Sequence, residues 1–247
     1  MMKEWFVEWF NTDEYLNVYK HRNESEAECH VRFLLSKVSL SYGASILDLA
    51  CGAGRHSILL AKLGYQVTGV DLSKRLLTEA KLSSEKENLE IEFIQSDIRE
   101  FNTEKKFDLV LNLFTSFGYF ENDYENFLVF EKAYSFLKPE GIFVFDYFNK
   151  NFLLKNLVPY SEEITDSYKI IQERKIVDER VEKKITINPN GKSIVYFESV
   201  KLYDSRFLLA KLKEFGFEIL NLFGDFLGNE FESNSSPRFI VICKKNL

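Results

Sequence analysis

Apolar and polar residues follow two rhythms along this chain, and their order predicts its elements. Over the first forty or so residues the rhythm is helical. Trp5, Phe6, Trp9 and Phe10 recur at helical spacing, and Ala27, Val31, Leu34, Leu35 and Val38 repeat the pattern before Gly43. From Ser45 onward short apolar runs alternate with amphipathic ones. SILDLA, QVTGVD, IEFIQSD, FDLVLNLF and GIFVFDYF read as five buried strands. RHSILLAKLG, stopped by Gly64, SKRLLTEAKLSSEKE, capped by Ser73, and ENFLVFEKAYSFLKP, closed by Pro139, read as helices. Such a succession implies a parallel sheet with helices on both faces.

Between about Tyr160 and Tyr203 the pattern changes to three β-rich runs, with Asp178-Glu179 and Asn188-Pro189-Asn190-Gly191 as turns. SRFLLAKLKEFG returns to helix, and FEILNLFG and RFIVICKK close the chain as two strands. The predicted fold class is α/β: a Rossmann-like, seven-stranded, mostly parallel sheet with a C-terminal antiparallel hairpin. A small antiparallel β insertion follows the fifth strand. The expected divisions are a helical segment over 1–42, a core over 43–158 and 204–247, and the insertion over 159–203.

Composition narrows the partners. With 247 residues, 45% hydrophobic and 28% charged, the chain is long enough to bury a core without a metal or disulfide staple. A formal charge of −6 argues against a broad nucleic-acid footprint. Cys29, Cys51 and Cys243 are scattered and odd in number, which fits free thiols in a reducing compartment. No run of apolar residues is long enough to span a membrane, and acids interrupt the N-terminal apolar stretch where a signal peptide would need its core. The expectation is a cytoplasmic protein. Three scattered histidines predict no metal site.

The chemistry centres on DLACGAGRHS, between the first strand and the next helix. A dinucleotide fingerprint, Gly-x-Gly-x-x-Gly, would place its third glycine where Ser57 stands. Asp48 lies four residues before Gly52, so a fixed acid sits beside the turn. That suits a cationic ligand better than a pyrophosphate. Asp71 ends the second strand, where an acid can accept ribose hydroxyls. Asp97 ends the third and can accept an adenine amine while Ile98 packs on the ring, and Asn112 ends the fourth, at the reactive end of such a ligand. S-adenosylmethionine is a sulfonium cation that meets all four demands.

These ordered motifs, ILDLACGAGRHS, VTGVDLS, FIQSDIRE, FDLVLNLFTSFGYF and LKPEGIFVFDYF, resemble those of class I S-adenosylmethionine-dependent methyltransferases from Ser45 to Phe148, and less specifically to the end. The resemblance implies that Asp48, Ala50, Gly52 and Gly54 shape the methionine pocket and that Asp71 takes the ribose. Leu72, Asp97 and Ile98 would border the adenine, with Asn112 at the reactive end. It implies methyl transfer by direct in-line displacement to a small-molecule acceptor, with no covalent protein intermediate. The insertion sits where enzymes similar to glycine N-methyltransferase carry a substrate lid.

Weaker features carry two readings each. Tyr15, Tyr19, His21 and Arg22 can close over the cofactor, with Tyr19 and Arg22 touching it, or form a solvated helix. Ser116 and Tyr119 after the fourth strand, Asp146, Tyr147 and Phe148 at the end of the fifth, and Tyr196 and Tyr203 in the insertion can line an acceptor pocket or fill core. His56 reads as orienting its helix, and Arg238 as binding an acidic group or as surface. No catalytic base stands out. The competing functions are a catalytically silent module that binds the same cofactor, and a nicotinamide-dependent oxidoreductase on the same sheet.

Overall fold

The computed structural model describes residues 4–21, 24–164, 168–189 and 192–246. The described chain begins with α1 (Trp5–Trp9), α2 (Asp13–Val18) and α3 (Glu24–Lys37). An alternating core follows: β1 (Ser45–Leu49), α4 (Arg55–Lys62), β2 (Gln66–Asp71), α5 (Lys74–Lys86), β3 (Glu92–Gln95), β4 (Phe107–Asn112), α6 (Asp123–Phe136) and β5 (Leu137–Phe148). Ser73 does cap α5, its hydroxyl accepting the Leu76 amide at 3.0 Å, and Asn122 caps α6 through the Tyr124 amide. Helix α6 stops at Phe136, before Pro139, because the chain already pairs with β4 at Leu137.

Next come α7 (Lys150–Asn156), β6 (Tyr160–Ile164), β7 (Tyr168–Val177), β8 (Arg180–Pro189), β9 (Ile194–Lys201), α8 (Ser205–Glu214), β10 (Phe217–Phe223) and β11 (Arg238–Lys245). The large sheet has the order β10-β11-β5-β4-β1-β2-β3. Strands β1 to β5 pair in parallel, whereas β11 runs antiparallel to both β5 and β10. This order sets the carboxyl ends of β1 to β4 along one edge, where open α/β sheets form their ligand crevice.

The insertion is a separate sheet of four strands, β6-β7-β8-β9, where the hydrophobic pattern predicts three. The extra strand, YSEEI, lies at the sheet's edge and is largely exposed, so it carries too little apolar alternation to read. Helix α7 escapes prediction for the same reason, because it buries no residue. Asp178 and Glu179 form the expected two-residue hairpin turn, with φ of 47° and 60° and Val177 paired with Arg180. In the other expected turn, Asn190-Gly191 lies outside the described residues.

Alternation along the strands divides the core between two faces. Leu47, Leu49, Val110, Phe143, Phe145 and Tyr147 point toward α6 and α8, with Phe117 and Phe130 among them. Ile46, Leu109, Leu111, Val144 and Ile240 point toward α3 and α4. Trp5, Phe6, Trp9 and Val18 pack instead on Ile170, Ile185 and Ile187 of the inserted sheet. Helices α1 and α2 are thereby held between that sheet and the crevice. No helix among the described residues is long and apolar enough to cross a membrane.

Phe130 is fully buried against Phe117, Phe127, Phe143, Phe145 and Phe215. Its replacement by alanine leaves a cavity that these rings cannot close, so Phe130→Ala is expected to cost about 3–5 kcal/mol in urea denaturation. A loss below about 1 kcal/mol would show that this aromatic layer is not the main core.

Candidate active site

The glycine turn is built from left-handed backbone. Ala50, Gly52 and Gly54 have φ of 60°, 58° and 74°. A β-carbon on Gly52 would meet only Leu76, at 3.9 Å, so the space above this residue is open to a ligand. Gly54 has a different task. A β-carbon there would lie 2.9 Å from Ala80 and 3.0 Å from Phe93, so this glycine lets α4 start close against α5 and β3. It lines neither cavity of the crevice.

Two buried acids hold the turn. Asp71 accepts the Gly52 amide on one oxygen and the Ser73 amide on the other, both at 2.8 Å. Asp48 accepts the hydroxyl of Ser57 at 2.6 Å. The serine that breaks the dinucleotide fingerprint is therefore the partner of the acid that precedes it. Burial pushes the Asp48 carboxyl up to about 7, and the nearby Asp71 charge adds to this while the Ser57 hydroxyl opposes it. Burial also raises Asp71, against the backbone amides of Ser73, Gly52 and Leu72 that stabilise its charge.

Above the strand ends lie two adjoining cavities. The first, about 70 Å³, is bordered by Leu72, Asp97, Ile98, Phe117 and Phe6. The second, about 170 Å³, is bordered by Asp48, Gly52, Arg55, His56, Tyr15 and Tyr19. Phe10, Ala50, Asp71, Ser116 and Tyr119 belong to both. Asp97 is already engaged there. Arg99 binds its carboxylate through Nε and Nη2 and also pairs with Glu4 and Glu125. A larger cavity of about 720 Å³ opens beyond, between α1, the β4–α6 loop and the inserted sheet, and shares Phe6, Tyr119 and Phe120 with the crevice.

The β4–α6 loop reaches this junction at a conformational cost. Phe114 and Thr115 both have φ near +60°, unusual for residues with a β-carbon. Asp146 holds them, accepting the Phe114 amide at 2.8 Å on its carboxylate and the Thr115 amide on its carbonyl. Arg238 donates to Asp146 and to the Thr115 hydroxyl, which makes it a brace for the loop. Phe114 then lies under the Arg55 guanidinium, 4.0 Å from it. His56 faces His30 at 3.3 Å, and burial lowers both rings, His30 to about 4, so both are neutral at pH 7.

Several sequence candidates stand elsewhere. Tyr147 is fully buried and donates to the carbonyl of Lys201; on β5 it shares a face with Phe143 and Phe145, so it is core and not pocket. Tyr196 stacks on Trp9 at 4.3 Å and joins α1 to the inserted sheet, away from the three cavities. Tyr203 is buried and bonded to Asp123 and Asn126. Asn112 lies beneath the crevice, its amide donating to the carbonyls of Leu49 and Ser116, while its buried Oδ1 has no hydrogen-bond donor among the described residues. Tyr19 borders the second cavity and bonds Glu198 and Lys183 of the inserted sheet. Arg22 lies outside the described residues, and His21 is exposed.

Comparison with known proteins fixes the family. A model described as a methyltransferase domain matches residues 40–198. The chain belongs to the methyltransferase-domain family. A methyltransferase candidate of Geobacillus sp. (strain WCH70) is 28% identical over 99% of this chain and 100% of its own. The glycine/sarcosine N-methyltransferase of Aphanothece halophytica is 27% identical over 98% of this chain and 89% of its own. A crystal structure of an S-adenosylmethionine-dependent methyltransferase from Clostridium acetobutylicum ATCC 824 shares the fold, with a TM-score of 0.80 and 21% identity over 90% of this chain and 92% of that one.

In this methyltransferase domain, sequence reasoning missed Ser57, Phe10 and Arg180. Ser57 had a visible signal, a polar residue facing inward from an apolar helix. Phe10 was legible as apolar but not as a cavity wall. Arg180, at the start of β8, gave no signal because three of its acceptors lie about sixty residues away in the β4–α6 loop and the others on Ser199 of β9.

The raised Asp48 carboxyl gives the methyltransferase a pH signature. Below about pH 4 the group is protonated in both folded and unfolded chains and has no effect on stability. As pH rises toward 7 the unfolded chain ionises first, so this residue progressively destabilises the fold. Asp48→Asn keeps an acceptor for Ser57, so it should gain roughly 2–4 kcal/mol on the wild type between about pH 4 and pH 8 in urea titrations. A difference that does not change with pH would mean that Asp48 is not held in this state.

Proposed function

We propose that this protein transfers a methyl group from S-adenosylmethionine to a small acceptor. The observation that carries this reading is the junction at Tyr119, where a crevice along four strand ends meets an open outer cavity. The residues present fit the cofactor. Gly52 leaves room where a β-carbon would intrude, and the unsatisfied Oδ1 of Asn112 is a buried acceptor beneath the same crevice. Asp48 and Asp71 would favour a cationic, ribose-bearing ligand, with Leu72, Ile98 and Phe6 as apolar walls for its adenine. Tyr15, Tyr19 and Phe10 would cover the sulfonium end from the N-terminal segment.

When bound, the cofactor supplies both the electrophilic methyl and its leaving group. The chain's own residues then have three tasks: orientation, exclusion of water and presentation of the acceptor in line with the breaking bond. Tyr119 and Ser116 would form the wall across which the acceptor approaches. His30 and His56, both neutral and hydrogen-bonded to each other, add no charge beside the sulfonium. The glycine/sarcosine N-methyltransferase relative supports a small acceptor, and so does an outer cavity of about 720 Å³. That open cavity favours an enzyme over a silent binding module. Ser57 in place of the third glycine disfavours a nicotinamide cofactor.

Titration calorimetry is expected to detect binding of S-adenosylmethionine and S-adenosylhomocysteine but not NAD; the reverse pattern would overturn the assignment. Asp71→Asn should weaken S-adenosylhomocysteine by about 1.5–3 kcal/mol through loss of charged hydrogen bonds. An unchanged dissociation constant would remove Asp71 from the ribose site. In the wild type, affinity for the sulfonium cofactor should rise as pH passes through about 7 and Asp48 ionises, and Asp48→Asn should flatten that rise. An affinity that falls over this range would contradict an Asp48 role in binding the cation.

A further inference from the structure

Among the cations that border the outer cavity, Arg180 is the one with no carboxylate within ion-pair distance among the described residues. Arg99 pairs with Asp97, Glu4 and Glu125, Lys183 with Glu198, and Lys184 with Glu173. Arg180 is 8% exposed, and its hydrogen-bond acceptors are all neutral. Its Nε donates to the Ser199 hydroxyl at 2.8 Å, its Nη2 to the carbonyls of Gly118, Tyr119 and Ser199, and its Nη1 to the carbonyl of Phe120 at 3.2 Å. A guanidinium carries five N–H donors, two of them on Nη1, so one Nη1 hydrogen is left over on a residue that borders the cavity. A buried charge is costly unless an opposite charge is brought to it. Arg180 also grips the loop that carries Tyr119, so an anion bound there would lie beside the wall shared with the crevice.

The rest of the cavity limits which anion fits. Glu4, Glu121, Glu125, Glu182 and Glu198 stand around it, so a polyanion such as a nucleic acid or a nucleoside diphosphate meets repulsion on most sides. A single carboxylate on an otherwise neutral or cationic molecule does not. We propose that Arg180 is the anchor for a carboxylate group of the methyl acceptor, which makes the acceptor a small carboxylic or amino acid. This rests on the reading of the crevice as the cofactor site, and it extends that reading to the acceptor's chemical class.

The test uses full-length protein labelled with nitrogen-15 arginine and saturated with S-adenosylhomocysteine. Acetate, acetamide and inorganic phosphate are titrated in turn. The Arg180 resonance is identified as the one lost in Arg180→Lys. Acetate should shift that resonance saturably, with acetamide at least roughly tenfold weaker, the ratio a charge-assisted hydrogen bond supplies. Arg180→Gln should weaken acetate by a similar factor while S-adenosylhomocysteine affinity changes less than about twofold. If Arg180→Gln does not fold, the wild-type comparison of acetate with acetamide decides alone. No acetate response, equal responses to acetate and acetamide, or a response to phosphate alone would overturn the proposal. Failure of S-adenosylhomocysteine to bind at the outset would instead overturn the cofactor reading on which it rests.

Discussion

The site depends first on the carboxylate of Asp71. It takes the amide of Gly52 from the turn after β1 and the amide of Ser73 from the start of α5, so one side chain at the end of β2 fixes two loops. Because that carboxylate is buried, its charge is affordable only while both amides point at it. The turn is thus shaped before any ligand arrives. Asp48 repeats the device one strand away, with Ser57 as its donor. Within this low-dielectric crevice burial and the Asp71 charge together raise the Asp48 carboxyl, and a cationic ligand relieves that tension where an anionic one would worsen it.

The parts above the crevice are arranged around this base. The strained pair Phe114 and Thr115 is braced by Asp146 and Arg238, which directs the loop toward Ser116 and Tyr119. The N-terminal helices approach from the other side. Trp5 donates to the Ser199 carbonyl and Trp9 to Glu198, so these helices are joined to the inserted sheet. Ser73 donates to the carbonyl of Phe10, which ties them to the glycine-turn side as well. The insertion and helices α1 and α2 are therefore joined to each other, and Arg180 links the insertion to the β4–α6 loop.

Much of this was legible because the relevant residues end apolar runs. Asp48 and Asp71 each interrupt a buried strand and Asp97 follows β3 by two residues, and a parallel sheet brings such positions to one edge. What the pattern could not convey were partners distant in sequence and the parity of strand ends. Tyr147 follows Asp146 on β5, and adjacent strand residues face opposite sides, so both could not serve the crevice. Asp97 looked like a vacant acceptor, yet Arg99 occupies it. Gly54 looked like a ligand glycine, and its constraint is the closeness of Ala80 and Phe93. Edge strand β6 and helix α7 were invisible because neither buries an apolar face.

The central claim is that the strand-end crevice holds an adenosyl sulfonium cofactor whose methyl faces Tyr119 and the outer cavity. A crystal structure of the protein with S-adenosylhomocysteine tests it most directly. The account predicts adenine between Leu72 and Ile98, ribose hydroxyls on Asp71, the amino-acid end near Asp48 and Gly52, and sulfur beside Tyr119. Adenine at the Gly52 end, or the ligand bound outside the crevice, would contradict it.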